Sequence, residues 1–277
     1  MTSLPPELRE NAKMPNQTAN QADTLFFLLF DSTPTFEPEA VLTAIGTIEP
    51  MRPGNKWNGT ATDTLIRFED HAFLLVAVPA PLPAEFGAVV NKTNWALASK
   101  QRMRQHRGHI ACKYSGTNQD PTEQLAAVLK LAAAMVPFGL AGVSQWQSGI
   151  AIPAEALRTI TQIDVIAESR KTIPIGIWTG FETYARSDGR LWFRTRGFHR
   201  WGKPDLAYLG EPQQASEIQG LFQGLLSYMR NNDLVLKAGQ TASHGDSSLT
   251  FSSPDPDESV LESSNDIVVV QRTKLAG

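Results

Sequence analysis

Thr24 to Phe30, TLFFLLF, is an uninterrupted apolar run of Leu and Phe. Such a run, too short for a membrane-spanning helix, predicts a central β-strand covered on both faces. Pro38 then stands at a suitable first helical position, and Val41, Ala44, Ile45 and Ile48 follow at helical spacing. The Gly-, Pro- and Asn-rich stretch from Glu49 to Thr62 reads as a loop. Thr64 to Phe68 and Ala72 to Val78 form a hairpin about Glu69-Asp70. After Pro79 to Pro83, the residues Phe86, Val89, Val90, Thr93 and Leu97 fall on one helical face, and His109 to Tyr114 alternates as a strand. This βαββαβ order predicts a ferredoxin-like first half, with an antiparallel-rich sheet carrying helices on one face.

Further along, Asp120-Pro121-Thr122-Glu123 marks a helix start, with Asp120 as cap and Glu123 reaching back to the cap amide. Leu125, Val128, Leu129, Ala132, Met135 and Val136 form its buried stripe, and Pro137-Phe138-Gly139 ends it. Val143 to Ile152 reads as a strand or irregular hairpin, Pro153 to about Ala167 as a weaker helix, and Ile173 to Trp178 as a strand. Asp188-Gly189 signals a tight hairpin turn between Tyr184 and Leu191. Leu206 to Leu209 is a short strand. Ser216 and Gln219 form a capping box for a helix with the stripe Ile218, Leu221, Phe222, Leu225, Leu226 and Met229, stopped at Asn231-Asn232. Leu234 to Lys237, Leu249 to Phe251 and Ile267 to Val270 read as strands. The expected class is α+β, a ferredoxin-like first half with a second α+β half packed against it. Residues 1–22 are expected to be a flexible leader, and 23–277 one domain or two lobes, 23–140 and 141–277.

The 277 residues, 42% hydrophobic, suffice for a sizeable core, and no apolar run approaches the length of a membrane span. The N-terminus lacks a basic start followed by an apolar core, so the cytoplasm is the expected compartment. Cys112, the one cysteine, excludes an internal disulfide and a Cys-based zinc cage. It sits in a strand pattern and reads as a small buried side chain. A net charge of -3 argues against a dedicated nucleic-acid binder.

The densest chemistry lies in Leu191 to Gly210, LWFRTRGFHRWGKPDLAYLG. Strand alternation places Leu191, Phe193 and Thr195 on one face and Trp192, Arg194 and Arg196 on the other. Basic residues cluster between Arg186 and Lys203, whereas Asp246 to Asp266 is acidic, and the two can pair within the fold. His106 and His109 stand three apart, but the spacing straddles a helix end. A shared metal there needs His199 or Asp205 as further ligands. Thr195, Gly197, Gly202, Lys203, Pro204 and Asp205 could frame an anion pocket, although turns require the same Gly and Pro residues. P-loop spacing, a complete G-x-S-x-G elbow and an identifiable carboxylate pair are all absent.

Four stretches resemble the bacterial domain of unknown function family 4261: His106 to Ile110; Trp146 with Gly149; Thr195-Arg196-Gly197-Phe198 through Trp201-Gly202-Lys203-Pro204-Asp205-Leu206; and Val235 to Thr241. The resemblance covers roughly residue 24 to the end. Phe198 replaces the family's usual Met and Trp201 its usual Phe, which reshapes the aromatic pocket. It implies a cytosolic bacterial protein and brings no established activity, cofactor or catalytic residue, though some relatives accompany polymorphic-toxin and secretion loci.

The expected function is therefore a non-enzymatic, cytosolic protein-binding module, an immunity or accessory protein that neutralises a toxin or effector. Trp192, Arg194, Arg196, Arg200 and Trp201 are its expected partner-binding anchors, because Arg and Trp dominate interface hot spots. No catalytic residue, cofactor or resident metal is assigned. The alternative is a metal-dependent hydrolase or nucleotide-handling enzyme using His106, His109, His199 and Asp205. A third reading, single-stranded nucleic-acid binding by the basic hairpin, is weaker.

Overall fold

The computed structural model describes residues 25–48, 55–60 and 63–274. The expected leader over 1–22 lies outside the described residues, as do 49–54 and 61–62 of the expected loop and the side chain of Phe86. The architecture is α+β, with strands in two sheets. The first is ordered β2 (Lys56–Gly59), β3 (Asp63–Phe68), β4 (His71–Val78), β5 (Gly108–Tyr114), β1 (Leu25–Phe30), β6 (Leu140–Gln145) and β7 (Ile150–Pro153). Every neighbouring pair in it is antiparallel.

This order corrects the ferredoxin-like expectation. That topology sets the first strand between the third and fourth of the βαββαβ unit. Here β5 lies between β1 and β4, so the strands that would be parallel neighbours never meet. Nor do the helices share one face. Phe26, Leu28 and Phe30 of β1 pack with Val41 and Ile45 of α1 (Pro38–Ile48) and with α4 (Pro121–Met135). Phe27 and Leu29 face Leu82, which precedes α2 (Ala84–Lys92), Val89 and Val90 within that helix, and Met103 of α3 (Leu97–Arg104). The apolar run is continuous because β1 has helices above and below it.

One expected helix is thus two, α2 and α3, and Leu97 is 67% exposed rather than part of a buried stripe. The stretch expected as a loop contains β2. Asp120 caps α4 as expected, its Oδ1 accepting from Thr122 N at 2.8 Å. Asn118 Oδ1, not Glu123, accepts the Asp120 amide, and Glu123 instead pairs with Arg170 at 2.8 Å. α4 is buried on nearly all sides because α1 and the chain after β7 surround it. That chain forms α5 (Ala154–Ile160) and α6 (Ile163–Thr172), interrupted at Thr161-Gln162.

The second sheet is ordered β11 (Thr241–His244), β12 (Ser247–Ser252), β13 (Ile267–Lys274), β10 (Asp205–Gly210), β9 (Leu191–Arg196) and β8 (Gly180–Ala185). β13 runs parallel to β10, pairing Ala207 with Val269. The Asp188-Gly189 turn joins β8 to β9 as expected. All six stripe residues of α7 (Ala215–Asn231) are buried against one face, with Phe222 edge-on to Phe181 at 6.3 Å. Ile173 to Trp178 is not a strand: turns and the isolated Ile175 bridge to Thr179 occupy it, and the strand begins at Gly180. Leu234 to Lys237 is also irregular. The expected Ser216 box is replaced by one formed by Glu211 and Gln214 one turn earlier, while Gln219 donates to Ile175 O at 2.9 Å.

A single apolar cluster runs through both sheets, and the first sheet continues through Pro153, past the 140/141 division. Among the described residues, no helix is long and apolar enough to cross a membrane.

Candidate functional site

On β9, alternation places Phe193 and Thr195 beneath α7 and turns Trp192 and Arg194 the opposite way, as their spacing predicts. That opposite face is covered. Residues 253–266 cross it, packing Val260 and Leu261 on Trp192, Ala207 and Val269. Trp192 Nε1 donates to Glu258 Oε2 at 3.0 Å, and Arg194 donates to Val260 O at 2.9 Å and Glu262 O at 3.3 Å. Arg186 also pairs with Glu258, at 3.2 Å. The acidic segment therefore folds over the basic hairpin.

The other expected anchors are likewise engaged internally. Arg196 is half-buried, donating to Gln147 O at 2.8 Å. Arg200 lies 5.5 Å from the Phe26 ring centroid and donates to Gln145 Oε1 at 3.2 Å, and Trp201 Nε1 donates to Thr122 Oγ1 at 3.1 Å. Trp192, Arg194 and Arg200 are 7%, 6% and 8% exposed. The expectation that these five form an outward contact face is corrected: they tie the second sheet to its covering segment and to the first sheet. Periodicity assigned the face; it could not reveal what covers it.

The second sheet holds two buried carboxylates, Asp205 and Glu182. Asp205 is fully buried, its Oδ1 accepting from Phe198 N at 3.0 Å and from Thr195 Oγ1 at 3.3 Å. Its Oδ2 has no hydrogen-bond partner and lies 4.0 Å from His199 Nδ1. Burial, only partly offset by the Phe198 amide and His199, raises the Asp205 carboxyl to about 6. Thr195 Oγ1 also accepts from Leu206 N at 2.7 Å, so its hydroxyl is committed and cannot serve as a nucleophile. Glu182 on β8 is met by the Tyr184 hydroxyl, by Lys92 of α2 at 3.4 Å and by Arg196 at 3.5 Å. Burial alone would raise the Glu182 carboxyl, yet Tyr184, Arg196 and Lys92 together hold it below its ordinary value. This clamp joins α2 on the first sheet to the second.

The histidine cluster of the alternative reading does not assemble among the described residues. His106 Nδ1 lies 2.7 Å from Met103 O while Nε2 accepts from Leu82 N at 2.8 Å, leaving no lone pair for a metal. His109 Nδ1 lies 2.7 Å from Ala80 O and its Nε2 has no partner. Burial lowers the pKa of both rings. Both flank or begin β5, whereas His199 and Asp205 belong to the second sheet. Among the described residues, the one group with three potential metal ligands in reach is Glu69, Asp70 and His71. Two of its three side chains are engaged: His71 Nδ1 is 3.0 Å from the Tyr114 hydroxyl, and Asp70 Oδ2 accepts from Asn118 at 2.8 Å. It latches the β3–β4 turn to the chain after β5. Cys112 is fully buried and its thiol is pushed upward by desolvation, as the strand reading expected.

Among the described residues, an open contact surface occurs instead at the edge of the first sheet. All four residues of β2 are exposed, and Trp57 is 39% exposed. Thr60 N donates to Asp63 O, so the antiparallel alternation puts Asn58 and Lys56 in the bonded set and turns the main-chain groups of Trp57 outward. Beside the edge, a groove of about 780 Å³ lies between β2 and α1, lined by Glu39, Leu42, Thr43, Gly46, Asn55, Lys56 and Trp57. Sequence reading missed this surface because its Gly and Asn residues read as a loop; the lone Trp57 was the available signal. The chain matches no protein-family model, no curated protein and no solved structure.

Proposed function

We propose that the protein is a non-enzymatic protein-binding module that accepts an extended segment of its partner alongside β2. The carrying observation is the open edge: outward main-chain groups at Trp57 offer hydrogen bonds to an added strand, and the adjoining groove offers room for its side chains. An extended peptide fits this edge better than a helix, which cannot pair with outward amides and carbonyls. Support comes also from the chemistry elsewhere. Both His106 nitrogens are committed internally, and His109 stands in a different sheet from Asp205, which counts against the residue set of the metal-dependent hydrolase alternative. The likeness to family 4261 suggests a bacterial toxin or effector as partner, and hence an immunity or accessory role in the cytoplasm.

A photo-crosslinking residue placed at Trp57, compared with one at exposed Leu97, tests the reading in native lysate. A discrete heterologous adduct from position 57 alone, competed by unlabelled protein, is the expected result. Partner capture that bypasses position 57, or an adduct consisting of a second copy of this chain, overturns it.

A further inference from the structure

We infer that the space between α2, the end of α3 and the first sheet is a binding site for a small, uncharged, largely apolar molecule carrying one hydroxyl or carbonyl group. The cavity measures about 270 Å³. Leu29 of β1 and Ser144 of β6 line it from the sheet, and Leu82, Val90 and Met103 add apolar wall. Ser144 is 1% exposed, and its hydroxyl meets no hydrogen-bonding group of the protein. Close-packed interiors contain few voids larger than a water molecule, and buried hydroxyls are seldom unmet. Here both exceptions coincide at one place.

The wall chemistry selects the ligand. His106 also lines the cavity, but backbone groups take both its ring nitrogens, so it presents a neutral surface. Ser144 therefore supplies the unmet hydrogen-bonding capacity at the sheet, enough for one ligand oxygen and unable to neutralise a buried charge. Access is between α2 and the end of α3: a Cβ added at Gly87 would meet nothing within 4 Å, and the other polar lining residues, Asn91 and Arg104, are exposed to solvent there. An apolar cavity of about 150 Å³ accommodates benzene, so this volume suits about eleven non-hydrogen atoms. The site is separate from the β2 edge and does not depend on the protein-binding proposal.

Calorimetric titration of the full chain with 4-propylphenol and with propylbenzene, which lacks the hydroxyl, tests the inference. One saturable site is expected for the phenol, with propylbenzene about five- to tenfold weaker. Ser144→Ala should weaken the phenol by the same factor and leave propylbenzene unchanged. Gly87→Leu, which fills the entrance from a helix position with free space, should abolish binding of both while the circular dichroism stays that of the wild type and the Tm is no lower. Absence of saturable binding by either probe means that the cavity holds only solvent and refutes the inference. Binding that survives Gly87→Leu places the probes elsewhere and refutes it equally.

Discussion

Replacing Asp205 by Asn should stabilise the protein at neutral pH, although it alters a buried side chain in the most chemically dense stretch. The Asp205 carboxyl moves from an ordinary 3.8 to about 6 on folding. A group whose pKa is raised in the folded state favours folding fully below its unfolded pKa, and that contribution is lost as pH rises through the folded value. A shift of about two units at 1.36 kcal/mol per unit makes ionisation cost roughly 3 kcal/mol at pH 7.5. The Asp205→Asn side chain retains an oxygen for Phe198 N and Thr195 Oγ1 but places an amide where Oδ2 now has no partner. That unmet donor costs about 1–2 kcal/mol, leaving a net gain of about 1–2 kcal/mol at pH 7.5. At pH 4 the wild-type carboxyl is protonated and the advantage should vanish. Scanning calorimetry from pH 4 to 8 should show the Asp205→Asn variant melting about 2–8 °C above wild type at the upper end and no higher at the lower. A variant less stable than wild type at pH 7.5 would refute the reasoning. It would mean that His199, 4.0 Å away, holds Asp205 ionised, and His199→Gln would then destabilise in parallel.

Other perturbations follow from the same contacts. Glu182→Gln should cost about 2 kcal/mol at pH 7, discounted because Lys92 and Arg196 can partly rehydrate. Because folding lowers the Glu182 pKa, its contribution is present above about 4.5 and lost as pH falls through the folded value, so urea midpoints of variant and wild type should converge in acid. Arg194→Ala removes the charged donor that holds the Val260 and Glu262 carbonyls, and limited proteolysis within 253–266 should accelerate roughly ten- to hundredfold. An unchanged cleavage rate would show that apolar packing alone secures the segment. Gly197 has φ 113° and a Cβ there would lie 2.8 Å from Ser148 Cβ, so Gly197→Ala should cost at least about 2 kcal/mol. Adding Ser148→Gly should recover only the steric part of that loss in a double-mutant cycle.

Local signals were legible where one element's own residues decide its state. Leu25 to Phe30 gave a buried strand, the Ile218 to Met229 stripe a helix, and Asp188-Gly189 a turn, because each depends on spacing or backbone preference. Neighbour choice was not legible. The βαββαβ order suited a ferredoxin-like sheet equally well, and only the pairing of β5 with both β1 and β4 excludes it. The site suffered the same limit. Trp192 and Arg194 have the alternation of an outward face, and they become interior because a segment far later in the chain, around Val260, lies across them. Asp205 and His199 do meet, whereas His106 and His109 belong to another sheet, a separation that sequence spacing cannot express. Trp57 escaped notice because propensity alone makes KWNG a turn, and pairing with β3 overrides it.

The place of β13 bears on how the chain is made. It lies inside the second sheet, between β12 and β10, and Ala207 waits for Val269, 62 residues further on. At ordinary rates of synthesis that length takes about 3–12 s to emerge. Throughout that interval β10 has an open edge, and for most of it the Trp192 face lacks the segment that will cover it. The nascent chain thus carries an unpaired strand edge and an uncovered apolar face until its last residues arrive, the two features that make an unfinished chain prone to associate with its neighbours.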